Sequence, residues 1–404
     1  MHASTRRLAR AARGWLTALA MSAPLAGCDQ LDRALSVDTP SRLPAEELDR
    51  PESAELLVNG AEADFQCALG AYIVVGGLIS GELADATQTA ARWSYDRRVI
   101  DPAESRYSLS ACQDIGVYTP LSTARFTNDE AVRKLEGWTD EQVSDRQALI
   151  ARAAAYAGYS LLLLGEGFCS AAIDEGPELS QQDMFVLAEE RFTKAIAAAT
   201  AAATPELANL AYVGRARARL NQGNGAGADA DAALVPPDFE YTLETFASAS
   251  RLNNRVFAEN TQTAAVSVGE AYRSLGDPRV AVTTDPAREF AQDRLTPLFL
   301  QGKYPERTSP YIVASGREAA LIRAEVAGGV TPQLVEDRRR TLFLEGQRLY
   351  DIQRFAAVDP ALVPLTPAPG TAYPKGGSYG DLAGLRCMPL PDVERLNNPN
   401  IPDA

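Results

Sequence analysis

The chain has one histidine, His2, in 404 residues. Beyond it there is no imidazole for a Ser-His-Asp or Cys-His nucleophile, for zinc ligation by histidine, or for proton transfer near neutral pH. Cysteine is scarce as well: five in all, with no C-x-x-C pair, so zinc and thioredoxin-like chemistry have no local signature. Positive charge is outnumbered, 39 Lys and Arg against 53 Asp and Glu. The resulting formal charge of −14 repels phosphate backbones and argues against nucleic acid as a partner. The N-terminal apolar run, Trp15 to Ala26, is too short to span a bilayer.

What that N-terminus does contain is ordered. Arg6, Arg7, Arg10 and Arg13 precede the apolar run, and Leu25-Ala26-Gly27-Cys28 follows, which describes a secretory signal. The last four residues resemble a bacterial lipobox. The resemblance implies cleavage before Cys28 and acylation of that cysteine. A plain signal peptide cut at an A-x-A-like site is the alternative. Residues 1–27 are therefore expected to be a lipoprotein signal, 28–51 a lipidated tether with Pro40, Pro44 and Pro51, and 52–404 one domain. More than one acyl chain makes such an anchor stable. Cleavage would remove four arginines, no acids and His2, taking the formal charge to −18.

Four other cysteines remain: Cys67, Cys112, Cys169 and Cys387. In an exported chain an even count suggests two disulfides, with three possible pairings. Four buried thiols are the alternative in a chain large enough to build a core without staples. Cys67 falls on the first long helix and Cys112 at the end of the loop after it, so that local pair is favoured, leaving Cys169 with Cys387.

Apolar periodicity predicts a helix from Glu55 to about Ile79 and a second over Thr123–Leu135. Residues 85–120 lose the period and read as long, partly ordered loops. The middle is rich in Ala, Leu and Arg and predicts helices over Asp145–Leu164, Gln181–Ala201, Glu206–Asn221 and Ala226–Leu234. In RARARLNQGNGAGADADAAL (Arg215–Leu234) small residues flank a Gly-rich turn, as in tetratricopeptide hairpins. A plain helical bundle is the alternative, since no 34-residue period is legible. Pro236–Glu306 reads as loops with short strands. Helices resume over Ser309–Ala327 and Pro332–Phe355, and the tail from Asp359 is Pro- and Gly-rich.

The stretch RRRTLFLEGQRLYDIQRF resembles the C-terminal signature of the SusD/RagB family of outer-membrane nutrient-binding lipoproteins. The matching residues are Arg338, Arg339, Arg340, Leu342, Glu345, Gly346, Arg348, Tyr350, Asp351 and Arg354. SPYIVASGREAALIRAEVA, GDPR (Gly276–Arg279), the MPLPDVERLNNPNI tail and the lipobox are similar to family features in the same order. Gln347 stands where the family often has His. The resemblance implies a mostly α fold of tetratricopeptide-like helical pairs with long loop-rich insertions and few short strands. It also implies a lid-like partnership with a TonB-dependent, SusC-like transporter, a nutrient ligand that is a glycan by family default, attachment to the outer-membrane surface by lipid alone, and no catalysis, metal or cofactor. Within the signature, Glu345, Arg348, Asp351 and Arg354 recur at spacings of three, which puts opposite charges on neighbouring turns of one helix face. Gly346 allows another backbone to approach.

Aromatics make up 7% of the chain, and past the signal only Trp93 and Trp138 remain as tryptophans. Few faces are thus left for stacking sugar rings, which raises the standing of a peptide or other small nutrient. The candidate ligand residues are Trp93, Tyr95, Arg97 and Arg98, where aromatic faces and charge gather on a loop. A carboxylate-dependent hydrolase is the enzymatic alternative, but no acid pair stands at a readable spacing. A tetratricopeptide-like protein-interaction scaffold is the third reading.

Overall fold

The computed structural model describes residues 45–375 and 381–401. Cys28, the expected signal and most of the expected tether lie outside the described residues. The first long helix, α1 (Ala54–Ser80), is apolar on nearly every face from Phe65 onward and stops at Gly81, whose φ of 80° only glycine adopts freely. By length and composition Pro51–Ser80 and Arg146–Gly167 could cross a membrane. Their most apolar windows, however, are 89% and 83% buried inside the protein, so both are core helices.

Five further helices follow: α2 (Tyr118–Glu136), α3 (Arg146–Gly167), α4 (Gln181–Ala201), α5 (Pro205–Asn221) and α6 (Gly225–Ala232). Each packs on the next. Local chemistry sets their ends. Ser180 and Asp183 form a capping box on α4, Pro205 occupies the first turn of α5, and Asn224 accepts from the Gly227 N–H to start α6. Small residues set the spacing. The Phe192 ring on α4 is fully buried between Gly158 on α3 and Gly214 on α5, where a Cβ on either glycine would come within 3.0 Å of the ring. The Arg215–Leu234 hairpin closes electrostatically: Arg215 donates to Asp231 at 2.7 and 2.8 Å, and Arg219 to the same carboxylate at 2.9 Å. The helical-pair expectation therefore holds, with ends shifted by a few residues.

The loop-rich side contains, among the described residues, four two-stranded antiparallel sheets. β1 (Leu83–Asp85) pairs with β5 (Val266–Val268), β2 (Ser170–Ala172) with β3 (Glu178–Ser180), β4 (Glu240–Leu243) with β8 (Tyr311–Ser315), and β6 (Val282–Thr284) with β7 (Phe299–Gln301). Two sequence expectations need correction here. Ser309–Ala327 is not one helix. Its first residues form β8, held in the ladder to β4, and the helix α7 (Gly316–Gly328) starts only where the Ser315 hydroxyl caps the Glu318 N–H.

Nor is Pro332–Phe355 continuous. α8 (Pro332–Thr341) and α9 (Arg348–Val358) are separated by a turn in which Leu344 and Gly346 have φ of 55° and 81°. Gly346 thus serves backbone conformation, with Tyr72 as its neighbour, and the charge ladder expected on one helix is a cluster joining three. Arg338 donates to Asp351 at 2.9 Å and to Gln347 at 3.3 Å, while Arg354 bridges Asp351 and Glu325 of α7. Arg339 and Arg340 hold Glu336, and Glu345, in the turn, pairs with Lys303. Arg348 lies near Glu82.

Cys67 and Cys112 form one disulfide, Cα–Cα 5.7 Å, and Cys169 and Cys387 another, Cα–Cα 5.1 Å. The first ties α1 to the segment before α2. The second ties the end of α3 to the C-terminal tail.

Candidate functional site

Where α1 ends, the chain turns into β1 and then a short helix, Trp93–Arg97. β5, the 293–297 turn and the 366–375 segment close around them. Together they enclose a cleft of about 400 Å³. Its walls are apolar at Leu83, Leu295, Pro297, Pro367 and Leu382, and charged at Asp85, Asp96, Glu270, Arg98, Arg273 and Lys375. Concave shape, apolar wall and convergent polar groups are features of a small-molecule site, and here the charged share of the wall is large.

The polar wall is highly organised. Asp85 is buried, and its Oδ1 accepts from the Thr87 N–H and hydroxyl, both at 2.8 Å, and from Lys375 Nζ at 2.7 Å. Lys375 also donates to the Thr87 carbonyl at 2.9 Å and lies 3.4 Å from Asp293. Its ammonium stands 5.3 Å from the centre of the Trp93 ring. That ring is fixed by its own N–H, donated to the Thr87 carbonyl at 3.0 Å, and by Tyr373, whose ring centre is 5.8 Å away. Burial, together with the Asp85 carboxylate, pushes the Asp96 carboxyl up to about 7.

The four candidate ligand residues do not converge on one surface. Trp93 is half-buried and stands behind the cleft's lining, against Lys375 and Tyr373. Tyr95 is buried and donates its hydroxyl to the Ile115 carbonyl at 3.1 Å, so it is a core residue and not a ligand contact. Arg98 lines the cleft, but its guanidinium is spent on the Ile79, Thr366 and Pro367 carbonyls at 2.7–2.9 Å. Arg97 lines a separate groove with Glu104 and Arg106. The reason is local: Trp93–Arg97 form a helical turn, which sends neighbouring side chains in different directions, and Arg98 follows it in the left-handed conformation. Asp85, Asp293 and Lys375 were not legible as site residues. They lie far apart in sequence, and no motif joins them.

Two further buried carboxyls behave as Asp96 does. Burial pushes Glu82 up to about 7 against the pull of the Leu344 N–H, Arg348 and Lys303. It pushes Glu318 to about 7 against Arg217 and Arg338. Between the unfolded value near 4 and the folded value near 7, the folded chain keeps protons that the unfolded chain has lost, so stability falls as pH rises through that window. The carboxylates held down by partners, Asp351 among them, titrate below it. The thermal midpoint is therefore expected to be roughly 3–8 °C higher at about pH 5.5 than at about pH 8. A calorimetric scan showing equal or lower midpoints at the acid end would refute this.

No protein-family model matches the sequence, and no curated protein matches it. Solved structures do match. A SusD superfamily protein from Bacteroides vulgatus superposes over 87% of this chain and 98% of its own, with a TM-score of 0.59 at 16% identity. Another from Bacteroides fragilis covers 88% of this chain and 99% of its own, with a TM-score of 0.61 at 12% identity. The chain has the SusD fold. Surface glycan-binding protein A from Bacteroides fluxus shares it, over 85% of this chain and 97% of its own, with a TM-score of 0.57 at 12% identity. Since each match spans nearly the whole partner, the SusD fold accounts for both the helical pairs and the loop-rich side on which the cleft lies.

Proposed function

We propose that this SusD-type chain is the nutrient-binding lipoprotein of an outer-membrane uptake system. It is anchored by acylated Cys28, exposed at the cell surface, and set as a lid over a TonB-dependent, SusC-like transporter. The cleft carries the reading: it is an enclosed, partly apolar cavity on the loop-rich side, walled by oriented polar groups. Binding asks no chemistry of the cleft's residues. A glycan is the first ligand to test, because proteins of this fold from Bacteroides fluxus and Bacteroides uniformis are surface glycan-binding proteins.

One observation favours a second reading, a peptide or other small polar nutrient. Among the described residues that line the cleft the one aromatic ring is Tyr373, and it is buried, with Trp93 behind it against Lys375. Affinity purification from detergent-solubilised outer membrane tests the role. The native chain is expected to bring down a TonB-dependent barrel, and Cys28→Ser to accumulate as an uncut, unacylated precursor outside that fraction. Recovery of the native chain with no barrel partner would sink the transporter reading.

A further inference from the structure

We infer that the cleft contains a recognition site for a primary ammonium group, which the chain fills with its own Lys375 and for which an amine-bearing nutrient competes. The inference rests on the nutrient-binding reading and names the ligand chemistry of that site: an amino sugar, a lysyl side chain or an alkyl diamine.

The seat is complete for an ammonium. Three oxygens surround Lys375 Nζ, at 2.7 Å (Asp85), 2.9 Å (Thr87 carbonyl) and 3.4 Å (Asp293). They match its three donors. The indole of Trp93 closes a fourth side at 5.3 Å, the aromatic contribution expected of a cation cage. A guanidinium would not fit that set, since its planar fork suits paired coplanar acceptors. The seat's parts are positioned by other contacts: the indole N–H donates to the same Thr87 carbonyl, and Asp293 is held by the N–H groups of Leu295 and Thr296. It would therefore keep its shape with a different occupant.

Two observations separate it from a closed structural ion pair. Asp85 and Lys375 both line the cleft. A buried polar atom there also stands without a hydrogen bond: Asp85 Oδ2, with only the Arg92 guanidinium 3.5 Å away. An unmet acceptor of this kind costs stability unless a ligand or water supplies donors. A ligand ammonium brings three. The nearby cations are committed: Arg92 to Glu259, Arg98 to three carbonyls, and Arg273 to the Val268 carbonyl and the Phe299 face.

Lys375→Met keeps the bulk of the side chain and empties the seat. Calorimetry with 1,5-diaminopentane, which reproduces a lysyl side chain, is expected to show at least tenfold tighter binding to Lys375→Met than to the native chain. Adding Asp293→Asn should weaken that binding. No binding to a folded Lys375→Met protein, or the same affinity in both proteins, overturns the proposal. In the native chain the diamine should also speed amide exchange in the peptide Thr371–Lys375 as Lys375 leaves. Unchanged exchange there overturns displacement, and this readout stands even if the variant fails to fold. A neutral glycan that binds without competition from the diamine would remove the ammonium site and leave the nutrient-binding role intact.

Discussion

Arg217→Ala is expected to destabilise the fold by about 3–5 kcal/mol, the usual cost of stranding a buried charge. Arg217 sits inside the helical pairs with 5% of its surface exposed. Its Nε donates to Glu166 at 2.7 Å, its Nη2 reaches the second oxygen of the same carboxylate, and its Nη1 lies 3.7 Å from Glu318. A guanidinium clamped in this way is held above its ordinary value by Glu166, which outweighs the opposing effect of burial. Truncation leaves Glu166 with only the Asn221 amide at 2.8 Å, and Glu318 with one fewer cation in a site that already disfavours its charge. The double variant Arg217→Met with Glu166→Gln removes both charges and fills similar volume, so it is expected to recover most of the loss. Urea unfolding measures both. A loss below about 1 kcal/mol in the single variant, or no recovery in the double, would show that the cluster is not the buried ion pair described.

These buried ion pairs show what the sequence could and could not disclose. The helices were legible because an Ala- and Leu-rich chain with a period near 3.6 has few other ways to bury its apolar face. Gly158, Phe192 and Gly214 then fix the spacing. The two corrected segments failed for a common reason: periodicity does not register a backbone change made by one or two residues. Tyr311–Ser315 has the apolar content of a helix start, but β4 supplies a ladder partner. Pro332–Phe355 keeps its pattern through the turn, although Leu344 and Gly346 break the helix there. Some partners of the signature arginines stand at i,i+3 or i,i+4, Asp351 for Arg354 and Glu336 for Arg339 and Arg340, but others, such as Glu325 for Arg354, come from another helix and are invisible to that arithmetic. The cleft was harder still. The stretch around Trp93 does form part of its wall, but Lys375 lies 290 positions from Asp85 in a Pro- and Gly-rich tail with no period of its own.

Arg98 separates a binding role from a scaffolding one. Arg98→Ala is expected to cost about 3 kcal/mol, because charge-assisted hydrogen bonds are the stronger ones and a buried carbonyl left unpaired adds its own penalty. The side chain is 1% exposed and donates to three carbonyls: Ile79 at 2.9 Å, Thr366 at 2.9 Å and Pro367 at 2.7 Å. The Ile79 carbonyl belongs to the last turn of α1, where four carbonyls have no partner within the helix and a cation is favoured. The other two belong to the segment that leads to Tyr373 and Lys375. One guanidinium therefore staples the end of α1 to a cleft wall, and its loss should loosen both. Burial lowers the guanidinium below its ordinary value, so part of the bonding energy is offset, which keeps the figure near 3 kcal/mol instead of higher. Two further variants sharpen the test. Arg98→Lys should not rescue, since one ammonium cannot reach three separated carbonyls in place of a planar fork. Arg98→Gly should be about 1 kcal/mol less damaging than the alanine variant, because the residue's φ is 58° and glycine adopts that region without strain. Urea midpoints rank the three. Unchanged stability in Arg98→Ala, with ligand affinity alone reduced, would return Arg98 to the ligand face and overturn its assignment as the staple of the wall.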